Sequence, residues 1–338
     1  MSGQAVQTKP AYIVPSMAEI EAIPWNGFNV VSTFSGCGGS CLGFRMAGFR
    51  TLWASEFIPA AQEVYRLNHP GTYLDTRDIR QVQPADILEQ IGLEVGQVDV
   101  LEGSPPCASF STAGKREAGW GQVKPYSDTK QRVDDLFFEF ARILEGLQPR
   151  VFVAENVSGL VKGKAKGYFK EILAALKACG YNVKARLLNA QWLGVPQMRQ
   201  RLIFVGVRND LGIEPAHPVP LAYQYTVAEA IGADIGREYD EQIIGNDAFK
   251  PKWGSLKNVH PTILQAGIHG GSGELRNSET LEKRKFSIAE LKRICAFPDD
   301  FQLVGTYSQQ WERLGRAVPP VMMRHIAETV RDEILCKI

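Results

Sequence analysis

The chain has 338 residues, with 38 lysines and arginines against 37 aspartates and glutamates and 44% hydrophobic residues. That length buries a sizeable core in one large domain plus a smaller one, and a formal charge of +1 argues against a polyanionic partner held by a global field. The six cysteines, at positions 37, 41, 107, 179, 295 and 336, form no C-x-x-C pair and no Cys/His cluster at zinc-ligand spacing, which speaks against a disulfide framework or structural metal and for a reduced, cytoplasmic chain.

The first stretch, "MSGQAVQTKPAYIVPS", lacks a basic segment followed by an apolar one. No apolar run approaches the roughly 20 residues of a membrane span, so a soluble, unexported protein without a membrane partner is expected. From Phe28 onward, β-branched runs alternate with helical stretches, the pattern of a parallel α/β sheet covered by helices. The predicted strands are "FNVVSTFSG", "TLWASEF" ending in Glu56, "VDVLEGSPP" and "RVFVAENV", with "AAQEVYRLNH" and "VDDLFFEFARILEGL" as helices between them. "NVKARLLNA" and "RLIFVGV" read as an antiparallel pair closing the sheet. Residues 210 to 282 have weak periodicity, with prolines, glycines and scattered Lys, His and Trp, and read as a smaller loop-rich domain. Helices "SIAELKRICAF" and "PPVMMRHIAETVRDEIL" then return to the first domain.

Residues with chemical potential follow the predicted strand ends, where open α/β sheets place ligands. "TFSGCGG", Thr33 to Gly39, is a glycine-rich turn that lets backbone approach a ligand and aims a helix N-terminus at it. Glu56 ends the next strand, where a carboxylate can accept both hydroxyls of a ribose. Ordinary strand-to-helix turn chemistry explains that pair equally well. In "GSPPCASFSTAGK", Pro105 and Pro106 fix the backbone ahead of Cys107, and the glycine-bearing, basic stretch behind it suits a movable lid. A free cysteine is otherwise a small buried hydrophobe. Glu155 in "AENV" ends a hydrophobic strand, where burial would raise a carboxyl pKa and suit it to proton donation. Gln197, Arg199 and Arg201 alternate in "PQMRQRLIFVG", so both arginines share one face of a strand entering the core and need an anionic or carbonyl partner.

The ordered set FSGCGG (34 to 39), PPC (105 to 107), ENV (155 to 157), Q-x-R-x-R (197 to 201) and G-x-A-V-P-P (315 to 320) resembles the DNA cytosine methyltransferases that modify carbon 5. The resemblance covers about residues 28 to 335 and implies a Rossmann-like class I methyltransferase sheet with a smaller target-recognition domain. It divides the chain into an extension at 1–27, a catalytic domain at 28–209, a recognition domain at 210–282 and a C-terminal return at 283–338. It implies Cys107 as nucleophile, Glu155 at N3 of the cytosine, Arg201 at its O2 and Arg199 supporting the thiol and the DNA backbone. For the cofactor, S-adenosylmethionine, it implies Phe34, Gly36, Gly38 and Gly39 around the adenosyl and methionine parts, Glu56 on the ribose, and Asp78 and Ile79 on the adenine. Pro106 and Leu136 would flank the adenine, with Arg316 and Val318 in the last motif.

The implied partner is double-stranded DNA, bound by a monomer, with Lys115, Arg116 and Lys124 as phosphate contacts and Lys250, Lys252, Trp253, Lys257, His260, His269 and Arg276 as candidates in the recognition domain. Each of these is also an ordinary solvated residue in the simpler reading. Members often carry glutamine after the nucleophile to fill the gap left by a flipped base, whereas here Ala108 is too short. Most bacterial members have asparagine where this chain has Arg316. One reading is a carboxylated donor, carboxy-S-adenosylmethionine, giving 5-carboxymethylcytosine; the simpler ones are that Arg316 binds the ordinary cofactor's carboxylate or turns to a nearby acid. Rival functions are methylation of tRNA cytosine, an inactive DNA-binding homologue, and a generic nucleotide-binding sheet protein.

Overall fold

The computed structural model describes the backbone of residues 8–106, 124–126, 129–131, 135–161, 165–232, 238–247, 250–265 and 273–338. Its centre is a seven-stranded sheet of β1 (Asn29–Thr33), β2 (Arg50–Ser55), β3 (Tyr73–Asp75), β4 (Val100–Gly103), β5 (Val151–Val157), β6 (Tyr181–Asn189) and β7 (Gln200–Arg208). The order is β3-β2-β1-β4-β5-β7-β6. β3, β2, β1, β4 and β5 are mutually parallel, and β7 runs antiparallel to both β5 and β6, which is the expected closing pair. The central strands are hydrophobic without alternation because helices cover both faces.

On one face pack α1 (Gly39–Met46), α6 (Ile288–Ile294) and α8 (Pro320–Glu333); on the other pack α3 (Pro84–Ile91), α4 (Leu136–Leu147) and α5 (Ala165–Ala178). In α4, Phe137, Phe140, Ile143, Leu144 and Leu147 are buried, an i, i+3, i+4 stripe that fixes which side of the helix meets the sheet. α1 and α8 cross at Gly43, where an added Cβ would lie 2.6 Å from the Pro320 carbonyl oxygen and 2.5 Å from Met323 Cβ. The C-terminal helix thereby returns to the glycine-rich turn that precedes α1. α2 (Pro59–Asn68) and α7 (Tyr307–Arg316) complete the surroundings of that turn.

Between residues 241 and 285 the chain forms a four-stranded antiparallel sheet rather than mostly loop. Its strands are β8 (Glu241–Asp247), β9 (Lys250–Ser255), β10 (Glu274–Arg276) and β11 (Lys283–Lys285), in the order β9-β8-β10-β11. Two of the strands have three residues each, too short to show periodicity in the sequence, and the last lies beyond residue 282. Among the described residues no helix is long and apolar enough to cross a membrane, and no group of His, Cys, Asp and Glu could hold a metal ion.

Beneath the glycine turn lies a buried polar cluster. Ser32 Oγ donates to Glu102 Oε1, and the hydroxyls of Ser32 and Ser35 are 2.7 Å apart. Burial pushes the Glu102 carboxyl up to about 7, opposed by its hydrogen bonds with Ser32 and Cys41. Between its unfolded pKa and about 7 the native state therefore holds a proton that the unfolded chain has lost, so stability falls as pH rises through that window. The loss approaches about 3 kcal/mol for a shift of this size. Glu102→Gln should flatten the decline, leaving the variant more stable than the parent at pH 8 in urea unfolding; equal pH slopes would contradict this.

Candidate active site

The turn from Phe34 to Gly39 leaves β1 with three residues in the left-handed region, Phe34 (φ 55°), Gly36 (φ 58°) and Gly38 (φ 90°), and opens directly into α1. Gly39 must lack a side chain, because a Cβ there would lie 2.4 Å from the Val318 carbonyl oxygen. Packing also keeps Gly38 small: an added Cβ would lie 2.1 Å from Nε2 of His69, a buried ring whose pKa burial lowers to about 4. His69 thus wedges the turn from behind, a long-range contact that glycine spacing does not reveal.

Glu56 leaves β2 and accepts N–H bonds from Gly36 and Ile58, both at 2.7 Å. Burial raises its pKa, and those backbone donors and Arg313 oppose the rise. A carboxylate offers about four acceptor sites, so the two N–H bonds do not exhaust its capacity to accept from hydroxyls of a ligand. An open cleft of about 940 Å³ lies in front of it, lined by Phe34, Gly36, Gly39, Glu56, Asp78, Ile79, Pro106, Leu136, Arg316 and Val318 from the sequence reading. It also includes Phe57, Arg77 and Arg313, which that reading missed. Arg313 precedes Arg316 by one helical turn, a spacing that could have flagged it. The cleft combines ribose-type acceptors, apolar walls and a helix N-terminus, a donor set that fits S-adenosylmethionine. Glu56→Ala should weaken binding of that cofactor by about tenfold or more in calorimetry, since charge-assisted hydrogen bonds are lost. Unchanged affinity would refute a role in binding.

At the far end of α7, Glu312 joins both arginines, with Oε2 3.0 Å from Arg313 Nη2 and Oε1 2.7 Å from Arg316 Nε. Arg316 thus lines the cleft while paired with a nearby acid.

The Ser104–Pro106 step ends β4 at the wall of the cleft and is tied to its neighbour on β5, whose Asn156 Nδ2 donates to the Pro105 carbonyl at 3.2 Å. Cys107, Lys115, Arg116 and His269, with the side chain of Lys124, lie outside the described residues. Glu155, next to Asn156, is buried and forms an ion pair with Arg201, Nε to Oε1 2.6 Å, across the antiparallel β5–β7 boundary. The carboxyl that the sequence reading suits to proton donation is therefore held against a guanidinium.

Arg199 differs from its expected placement. It falls between the two-residue strand Gln197–Met198 and β7, is 2% exposed, and donates to the carbonyls of Ile263 (3.2 Å), Gly315 (3.0 Å) and Arg316 (3.3 Å). Burial first, and then the charge of Arg201, lower its pKa to about 9. It clamps the Q-x-R-x-R segment to the last motif.

Of the recognition candidates, Trp253 and Arg276 come together, with Arg276 Cζ 4.5 Å from the indole centroid. By strand alternation Lys250 and Lys252 belong to the other face of β9. Lys257 stands apart beside Trp192 and Tyr223 in a second, open pocket. His260 is fully buried beside Phe286, and desolvation lowers its pKa to about 4, so it is a core residue and not a surface contact.

Comparison with known proteins supplies a family. Residues 28–239 and 233–332 match the model of the C-5 cytosine-specific DNA methylases. The chain is 29% identical to the type II methyltransferase M.NgoPII of Neisseria gonorrhoeae, covering 92% of this chain and 97% of the relative. It is 37% identical to M.DdeI of Desulfomicrobium norvegicum, covering 89% and 88%. Among solved structures, Spodoptera frugiperda DNMT2 shares the fold at a TM-score of 0.67 and 18% identity, covering 90% of this chain and 99% of that one.

Proposed function

The chain belongs to the C-5 cytosine-specific DNA methylases and is a DNA cytosine-5-methyltransferase, and on that premise we propose that it modifies a flipped-out cytosine in a specific duplex sequence through a covalent bond to Cys107. The observation that carries the reading is one continuous arrangement. The cleft holding Glu56 is walled by the step immediately before Cys107, and that step is hydrogen-bonded to the neighbour of the Glu155–Arg201 pair.

Carbon 5 of cytosine is a poor nucleophile. Addition of the Cys107 thiolate to carbon 6, with Glu155 delivering a proton to N3, breaks the ring's aromaticity and makes carbon 5 electron-rich. N3 and O2 are neighbouring positions of the ring, which suits a carboxyl and a guanidinium held side by side as Glu155 and Arg201 are. When bound, S-adenosylmethionine supplies the electrophilic methyl group. Loss of the carbon-5 proton then expels the thiolate and restores aromaticity. Cys37, Cys41 and Cys295 are poor alternatives as nucleophile, because burial pushes their thiols up to about 12, about 12 and about 11. None of these contacts can form within a stacked duplex, so the base must leave the helix at a cost of a few kcal/mol.

The Glu312 pairing supports ordinary S-adenosylmethionine over its carboxylated relative, since Arg316 already has an anionic neighbour. The testing experiment is methyl transfer with each donor to duplex DNA and to tRNA, followed by nucleoside mass spectrometry. The expected product is 5-methylcytosine in duplex DNA. Methylation confined to tRNA, 5-carboxymethylcytosine, or no product from folded protein would each overturn a defined part of the reading.

A further inference from the structure

The antiparallel sheet of β8 to β11 has two unlike faces. Gln242, Leu275 and Arg284 stand in one register row. Gln242 and Leu275 are fully buried, and Arg284 Nη2 is ion-paired 2.7 Å from Glu290 of α6, so this face anchors the sheet to the body. The opposite row runs Ser255, Glu241, Arg276 and Lys283 across all four strands. Two residues before Ser255, Trp253 shares that face; Arg276 Cζ lies 4.5 Å and Lys283 Nζ 5.3 Å from its ring centroid.

Arg276 is held from two sides. Glu241 Oε2 accepts from its Nε at 2.7 Å and lies 2.5 Å from its Nη2, while the Trp253 ring lies over the guanidinium. The carboxylate thus occupies the side edge of the guanidinium and leaves the end edge, Nη1 with the second hydrogen of Nη2, as a pair of parallel donors. Guanine presents two adjacent acceptors, O6 and N7, in the major groove. Adenine presents one acceptor and one donor there, and cytosine presents a donor. A phosphate is the poorer match, because the Glu241 carboxylate beside it would repel an anion. Lys283, whose ammonium has no carboxylate partner among the described residues, suits the phosphate role.

We propose that Arg276, oriented by Glu241 and Trp253, reads one guanine of the recognition sequence from the major groove. The proposal rests on the chain acting on a specific duplex, and it commits that duplex to contain a guanine at a fixed distance from the target cytosine.

The test is selection of bound duplexes from a random-sequence pool by the full chain, with sequencing of the bound fraction, which requires no methyl transfer. The parent protein should enrich one invariant guanine. Arg276→Ala and Arg276→Lys should each lose discrimination at that position by roughly tenfold to a hundredfold while retaining preferences elsewhere, and Glu241→Gln should lose part of it. Thermal melts of the variants confirm folding, and Arg276→Lys keeps the charge should the alanine variant fail. The proposal is overturned if the parent enriches no fixed guanine, if either variant keeps that preference, or if Arg276→Lys binds like the parent while Arg276→Ala weakens uniformly, the mark of a phosphate contact. Methyl transfer measured on the same duplexes tests the enzymatic reading separately, so a protein that selects the guanine but transfers nothing would overturn the latter alone.

Discussion

Cys107→Ser is expected to abolish turnover, by on the order of 10⁴-fold or more, while S-adenosylmethionine binding stays within about twofold of the parent. A hydroxyl is hardly ionised at neutral pH and adds poorly to carbon 6, so the step that activates carbon 5 disappears. Cofactor binding should survive because its polar anchors, Glu56 and the backbone of the glycine turn, belong to β1, α1 and β2. Single-turnover methyl transfer and calorimetric titration separate the two effects. Substantial transfer by the serine variant would sink the covalent mechanism; lost cofactor binding would show that Cys107 shapes the cleft.

The second large effect concerns the pair behind the base. Glu155→Gln should lower the rate of methyl transfer about 10²- to 10⁴-fold, since an amide cannot deliver a proton to N3. Arg201→Ala should be comparably damaging, because it removes both the group proposed at O2 and the guanidinium that is ion-paired with the buried Glu155. The two groups are 2.6 Å apart and act on one ring, so the double variant should lose far less than the product of the single losses. Strictly multiplicative losses would mean that the carboxyl and the guanidinium work independently.

How much of this the sequence discloses depends on how local the cause is. The glycine turn, Glu56 and the parallel strands are legible because each follows from a run of a few residues: β-branched strand, positive-φ turn, helix start. The site's long-range joints are not. That His69 backs Gly38, that Glu312 joins Arg313 and Arg316, and that Arg199 closes on the carbonyls of Ile263, Gly315 and Arg316 are consequences of packing. Alternation in Q-x-R-x-R correctly demands a carbonyl or anionic partner for each arginine, but cannot say that one receives carbonyls and the other a carboxylate. Past residue 209 the texture reads as loops because the strands are short and their outer face is polar, which also hides Lys283 from the recognition set.

The covalent claim is tested most directly with a duplex carrying 5-fluorocytosine at the target position. Methylation there leaves fluorine where a proton must depart, so the thiolate cannot be expelled and the adduct persists. The parent protein with S-adenosylmethionine should form a denaturation-resistant protein–DNA complex, with the nucleotide on the peptide containing Cys107, and Cys107→Ser should form none. A parent protein that methylates ordinary duplex yet yields no trapped complex, or a complex attached elsewhere than Cys107, would contradict the account.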